Sequence, residues 1–317
     1  MRNVDVLILS SLLDLSTDKI CNLLNKKNIS FLRINRDNIK DIYLTLDPLT
    51  SCMTCQYDNE TWYVEDDLRS VWWRNPTFLR NTSFSSRSFS KQLEISQWSA
   101  MLRGLMIYNR ALWVNAPDAT YKAESKPYQL KVAKQIGFHV PETIITNDSS
   151  SDVEKKIGEQ IVLKSIDTIL LRDKSYQYFA YTSIVKWEDC TSDNFNLIPS
   201  ICQKIITPKL DLRVTVIGDM VWCNQVLYNN KEIEGDWRLH SKQYLSYPSF
   251  DLPIDVQKLC VLLVKSLGLV YGAIDLALSN DVFWFIEINP TGEWAWLDSP
   301  KSKIADTIVD HLALGGF

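Results

Sequence analysis

Histidine is rare in this chain: three in 317 residues, His139, His240 and His311, none near another. That works against Ser–His and Cys–His nucleophile mechanisms, which need an imidazole base beside the nucleophile. No apolar run approaches the ~20 residues of a membrane span, so no membrane partner is expected. Basic blocks are missing too. With 34 Lys and Arg against 38 Asp and Glu, a formal charge of −4, nucleic acid is not expected as a partner. There is no Walker A loop and no kinase-type glycine-rich loop. The turn after the first apolar stretch, Ser10-Ser11-Leu12-Leu13-Asp14, has no glycine to let a pyrophosphate approach. Internal repeats and low-complexity segments are absent. The seven cysteines are scattered, and Cys52-x-x-Cys55 has neither a second pair nor a histidine at zinc spacing. Free thiols in a reducing compartment are therefore expected. Residues 1–10 carry an Asp inside a short apolar run and read as a strand, not a signal peptide, so a cytoplasmic location is expected.

What is present is ordinary globular material, 46% apolar and 23% charged, enough for two domains or one large one. Residues 4–10, 15–27 and 29–34 read as strand, helix and strand, the helix capped by Ser16 or Thr17. This opening suggests a small parallel sheet. A hairpin turns at Asp58-Asn59-Glu60. Residues 70–76 form a further strand, where Trp72 and Trp73 point to opposite faces, one of them into the core. Arg74 at its end could face a cleft, or form a surface ion pair. A long amphipathic helix follows over about 85–109, its stripe made by Leu93, Trp98, Met101, Leu102, Leu105 and Tyr108. Beyond it come a helix at 123–136 stopped by Gly137, strands at 140–146, 161–164, 176–185 and 201–206, and a hairpin turning at Gly218-Asp219. Helices are expected at 253–267 and 304–314.

Oxygen donors gather in one stretch, Phe283-Trp284-Phe285-Ile286-Glu287-Ile288-Asn289-Pro290. Residues two apart on a strand share a face, so Glu287 and Asn289 project together. The turn chemistry of Ser279-Asn280-Asp281 allows a hairpin that brings Asp275 beside them. Such a set suits a hard cation such as Mg²⁺. An ordinary buried hairpin with polar ends is the alternative. The cations Lys126, Lys164, Arg213 and Arg238 stand at strand or helix ends, and a triphosphate with Mg²⁺ needs both sets.

Taken in order, these residues resemble the ATP-grasp ligases. Ser125-Lys126-Pro127, Leu130, Ala133, Gly137 and Val140-Pro141-Glu142-Thr143 are similar to that family's first lysine, its helix and its G-x-x-x-P-x-T strand. Lys164 matches the second nucleotide lysine. Gln203-Lys204-Ile205-Ile206 resembles the Q-E-x-I hinge, whose backbone holds adenine; Lys204 stands where the family has an acid. Asp211-Leu212-Arg213 resembles the D-x-R strand, with the acid on the ribose side and the arginine near phosphate or substrate. Asp236-Trp237-Arg238 resembles D-[FW]-R, whose arginine contacts phosphate, and Asp275, Glu287 and Asn289 match the metal triad. The resemblance covers about residues 118–314. More narrowly, Val71-Trp72-Trp73-Arg74 and the tail from Asn289 to Leu297 resemble the graspetide maturases of ribosomal peptides, of microviridin, plesiocin and thuringinin type. Glu293 replaces a glutamine of that tail, and the loop after Lys164 lacks glycine.

The resemblance implies an α+β fold: two α+β subdomains, 118–190 and 191–317, clasping ATP, preceded by an α/β domain over 1–117. It implies ATP and Mg²⁺ as cofactors and a ribosomal precursor peptide, leader and core, as partner. Asp275, Glu287 and Asn289 would hold the metal. Lys126, Lys164, Gln203, Lys204, Ile205, Ile206, Asp211 and Arg238 would hold ATP, Arg213 and Arg238 would act in catalysis, and Arg74 and Arg213 would meet substrate. The leader would dock within about 165–200, and the enzyme would be a homodimer. The implied reaction phosphorylates an Asp or Glu side chain of the peptide and joins it to a Ser or Thr hydroxyl or a Lys amine. Alternatives are an ATP-grasp ligase adding amino acids, or glutamate to a protein tail, and a peptide-binding protein without catalysis.

Overall fold

The computed structural model describes residues 2–74, 88–167, 170–172, 177–179, 182–190 and 193–315. The expected break at Asn75-Pro76, the expected start of the long helix and part of the 165–175 loop lie outside them. The chain forms two compact units. One comprises Met1–Tyr121, Gly268–Gly272 and Pro290–Phe317; the other comprises Lys122–Leu267 and Ala273–Asn289.

The first unit opens with β1 (Arg2–Asn3), β2 (Val6–Ser10), α1 (Leu15–Lys26) and β3 (Phe31–Asn35). Next come β4 (Tyr43–Asp47), β5 (Cys52–Tyr57), β6 (Glu60–Val64), β7 (Ser70–Trp73), α2 (Phe89–Gly104), β8 (Leu112–Val114) and α3 (Pro117–Ala123). Four strands make a parallel sheet in the order β3-β2-β7-β8. Its inner strands are covered on both faces, so apart from the buried Ser10 and Ser70 they are apolar. For the same reason Trp72 and Trp73 are both buried, where one had been expected in the core. The second sheet, β1-β6-β5-β4, turns at Asp58 and Asn59, both at positive φ, as a two-residue hairpin of this hand requires. Cys52 and Cys55 lie three apart on β5, one exposed and one buried, so their thiols face opposite sides. The cap of α1 is Asp14, not Ser16 or Thr17. Its carboxylate accepts from the Ser16 and Thr17 N–H groups at 3.1 and 3.3 Å, and the two hydroxyl residues occupy the first turn. On the α2 stretch Leu102, Leu105 and Tyr108 join the core beneath Trp98 and Met101, whereas Leu93 is exposed.

The second unit contains α4 (Lys126–Ile136), β9 (Thr143–Thr146), α5 (Val153–Ile157), β10 (Gln160–Lys164), β11 (Leu170–Arg172), β12 (Gln177–Phe179), β13 (Ser183–Lys186) and α6 (Asp193–Leu197). It continues with β14 (Ser200–Lys204), β15 (Leu210–Ile217), β16 (Met220–Tyr228), β17 (Leu245–Ser246) and α7 (Ile254–Ser266). The hairpin of β18 (Tyr271–Ser279) and β19 (Val282–Asn289) completes it, the first two residues of β18 belonging to the first unit. Helix α4 stops at Gly137, whose φ of 109° suits a left-handed cap. One sheet is antiparallel in the order β13-β10-β14-β9, a second has the order β17-β16-β15-β18-β19, and β11 and β12 pair antiparallel as a two-stranded ribbon. The β18–β19 turn is Asn280-Asp281, both at positive φ.

The last helix, α8 (Ile304–Leu314), returns to the first unit. Ser70 Oγ donates to the Leu312 carbonyl at 2.7 Å, and Lys27 pairs with Asp310. Sequence order had suggested grouping 290–317 with the preceding residues; these bonds join it to the N-terminal region. Among the described residues no helix is long and apolar enough to cross a membrane.

Candidate active site

Strand pairing in the second unit sets Asp275 directly opposite Glu287, with a register shift just after Asp275. Asn289, two residues beyond Glu287, shares its face. The hairpin therefore presents two carboxylates and an amide together on the wall of a cavity of about 1470 Å³. Lys126, Lys164, Gln203, Lys204, Ile205, Ile206, Asp211 and Arg238 line the same cavity. Eleven of the residues singled out in the sequence, more than a hundred positions apart at the extremes, thus share one space.

The carboxylates are heavily compensated. Arg238 Nη2 lies 3.1 Å from Asp275 Oδ2 and donates at 2.7 Å to Glu287 Oε1. Lys126 Nζ is 3.5 Å from Glu287 Oε2, and Arg213 Nη1 donates to Asp275 Oδ1 at 2.7 Å. Burial by itself would raise the Glu287 pKa, but Arg238, Lys126 and Lys164 outweigh it and hold the carboxyl at about 2. The same attraction raises Arg238 against its own burial, through Asp275, Glu287 and Asp236. Lys164 is lowered by burial, opposed by Glu287 and aided by Lys126 and Arg238. Asp211 is raised by burial against the pull of Lys209, its ion-pair partner.

Two of the arginines singled out in the sequence are buried and do not line the cavity. Arg213 stands on the same face of β15 as Asp211 and donates to Asp275 on the adjacent strand, an arrangement that orients that carboxylate. Arg74 lies buried in the first unit. Its Nε donates to Asp14 at 3.1 Å, its Nη2 is 2.7 Å from Glu293, and its Nη1 donates to the carbonyls of Thr291 and Gly292. A guanidinium so engaged ties these segments of the first unit together.

Asp236, given no role of its own in the D-[FW]-R motif, also lines the cavity. It is buried, caps the short turn Trp237–Leu239, and accepts from Arg238 N at 3.0 Å and Thr182 N at 3.3 Å. The signal was an Asp two residues before the arginine, the spacing of a capped turn. The Gln203 side chain was missed as well: it accepts from Lys164 Nζ at 2.8 Å.

The donor set fits a hard divalent cation: two carboxylate residues, one of them held ionised, and an amide oxygen on one face. Among the described residues no group of three His, Cys, Asp or Glu side chains forms a separate metal cluster.

No protein-family model matches the sequence. Alpha-aminoadipate--LysW ligase LysX of Sulfolobus acidocaldarius is 28% identical over 144 residues, 44% of this chain and 48% of that protein. The chain thus spans about half the length of this curated relative. Among solved structures, a RiPP-associated ATP-grasp ligase of Chryseobacterium gregarium, in complex with ADP and a leader and core peptide, superposes with a TM-score of 0.83. It is 24% identical over 98% of this chain and 96% of its own. The fold is ATP-grasp. Macrocyclase MdnC of Microcystis aeruginosa, bound to precursor peptide MdnA, shares this ATP-grasp fold at a TM-score of 0.79 and 22% identity, over 98% of this chain and 99% of its own. So does PsnB, solved with a minimal precursor, at 0.78 and 17%, over 98% of each chain. In ATP-grasp terms, the β18–β19 hairpin and the Lys126, Lys164 and Arg238 side chains stand together around one cavity.

Proposed function

We propose that this protein is an ATP-dependent ligase that closes rings in a ribosomal precursor peptide. The observation that carries the reading is the gathering of Asp275, Glu287 and Asn289 with Lys126, Lys164 and Arg238 around one cavity. It is supported by the full-length likeness to ATP-grasp structures described with precursor peptides.

Asp275, Glu287 and Asn289 would hold Mg²⁺, which when bound supplies positive charge against a triphosphate. Lys126 and Lys164 bind phosphate oxygens, and the Gln203–Ile206 backbone receives adenine, with Asp211 toward the ribose. Arg213 fixes the Asp275 carboxylate. Arg238, on a short capped turn, leaves the carboxylates and stabilises charge on the group in transfer. A peptide Asp or Glu side chain takes the γ-phosphoryl group to give an acyl phosphate. A Ser or Thr hydroxyl or a Lys amine of the same peptide then attacks the acyl carbon and expels phosphate, forming an ester or an amide. Positioning and charge stabilisation suffice, so no protein nucleophile is needed. A homodimer belongs to the same reading and is checked by light scattering.

The test is mass spectrometry of a precursor peptide incubated with the protein, ATP and Mg²⁺. Each bond removes the mass of one water and releases one ADP. The LysX match favours a second reading, ligation of an added amino acid, under which peptide mass rises. Leader binding without ADP release across candidate peptides would leave a binding protein and defeat both.

A further inference from the structure

Three antiparallel strands lay a polar chain across the second unit. Registers place Thr143 on β9 opposite Gln203 on β14, and Gln203 opposite Val162 on β10. Lys164, two residues beyond Val162, shares its face and sits diagonal to Gln203, within reach of a long side chain. The hydrogen bonds run in one direction along this row. Thr143 Oγ1 donates its only proton to the Pro141 carbonyl at 2.7 Å, so it can only accept from Gln203. Gln203 Nε2 makes that donation at 2.9 Å. The amide is thereby turned with Oε1 toward Lys164 Nζ, which donates to it at 2.8 Å. Flipping the amide would set an NH₂ against an ammonium. Gln203 itself is 3% exposed, so water does not substitute for either bond.

We propose that Gln203 is a positioning residue for Lys164: fixed by Thr143, its neutral carbonyl holds the ammonium in place and leaves its charge unspent for phosphate. The proposal rests on the ATP reading of the cavity and assigns the Gln203 side chain a role apart from the backbone contact to adenine. Neutrality matters here. A carboxylate in its place would satisfy the same donor and cancel the charge, as Glu287 does in part for Lys126. The charged groups around Lys164 are Glu287, Lys126, Arg238 and Asp236, whereas its hydrogen bond runs to the neutral Gln203 carbonyl.

Two measurements on the full chain test this. The first is affinity for a fluorescent ATP analogue with Mg²⁺. Gln203→Met weakens it by about tenfold, the scale of one lost hydrogen bond to a charged group. Gln203→Glu also weakens it, although the acceptor is kept. Thr143→Val weakens it by about threefold, and Thr143→Ser, which keeps the oxygen, recovers that loss. The second uses nucleotide-free protein: acetylation by acetic anhydride, read by mass spectrometry at each lysine. Lys164 labels faster in Gln203→Met, while Lys126 and Lys209 do not change. If the wild-type protein bound no nucleotide, the ATP reading would fall and the labelling alone would decide the positioning role. Unchanged Lys164 labelling in Gln203→Met, or wild-type affinity in both Gln203 variants, overturns the proposal.

Discussion

Three cations, Arg238, Lys126 and Lys164, pull on the single carboxylate of Glu287. Its pKa falls from the ordinary 4.5 to about 2, so its ionised form stabilises the folded protein. The sign follows from the depressed value: the contribution is full above pH ~4.5 and is lost as pH falls through about 2. Melting curves of wild type and Glu287→Gln should therefore differ at neutral pH and converge toward pH 2. Curves that run parallel down to that pH would contradict the assignment. At neutral pH, Glu287→Gln and Asp275→Asn should lower ADP release by more than about a hundredfold while peptide affinity stays measurable. Arg238 gives an opposite pair of signs. Its guanidinium bridges Asp275 and Glu287, where a metal ion would compete with it. Without nucleotide, Arg238→Met should bind Mn²⁺ up to about fivefold more tightly by paramagnetic titration, since a half-exposed pair is worth up to ~1 kcal/mol. With ATP present, its nucleotide affinity should fall. A loss of Mn²⁺ affinity in the nucleotide-free variant would show that Arg238 does not compete for the site.

At the scale of elements, the β18–β19 hairpin was legible because two local signals agree: alternation at period two and a two-residue turn of Asn280-Asp281. Both turn residues sit at positive φ, which only glycine adopts without cost. Asp281→Gly should therefore raise stability by about 0.5–1 kcal/mol in urea titration. Destabilisation would mean that the Asp281 side chain does something the turn geometry does not require. Less legible was anything depending on which strand covers which. Asp211 and Arg213 share a face of β15, yet only Asp211 lines the cavity, because Asp275 arrives from β18, more than sixty residues later. Arg74 belongs to the same class. Its partner Asp14 caps a helix far back in the chain, and its other partners, at 291–293, come from near the C-terminus. Both members of the Arg74–Asp14 pair are about 5% exposed or less, so Arg74→Met strands a buried carboxylate. The expected loss is about 3–5 kcal/mol by urea titration, and a loss under ~1 kcal/mol would show the pair to be dispensable.

At the scale of the whole chain, the sequence order of motifs predicts the ATP-grasp assembly of the second unit but not how the chain divides. The β18–β19 hairpin that carries Asp275 and Glu287 ends at Asn289, and the residue after it belongs to the other unit. Nothing local marks that handover, since Pro290 and Gly292 read equally well as an ordinary strand end. What fixes it is a set of long-range bonds. Asn115 Nδ2 donates to the carbonyls of Tyr271 and Pro290 at 2.9 and 2.8 Å, Lys19 pairs with Asp298, and α8 buries Ile304, Ile308, Val309 and Leu312. Those four side chains are each worth roughly 1.5–3 kcal/mol of burial, comparable in sum to the whole stability of a domain. Truncation after Lys303 should therefore unfold the first unit selectively. Hydrogen exchange would show β2 and β7 losing protection, while β15, β16 and β19 keep it and the fluorescent ATP analogue still binds. Uniform loss of protection across both units would show instead that they fold as one cooperative body, and protection kept at β2 and β7 would show that α8 is peripheral to that core.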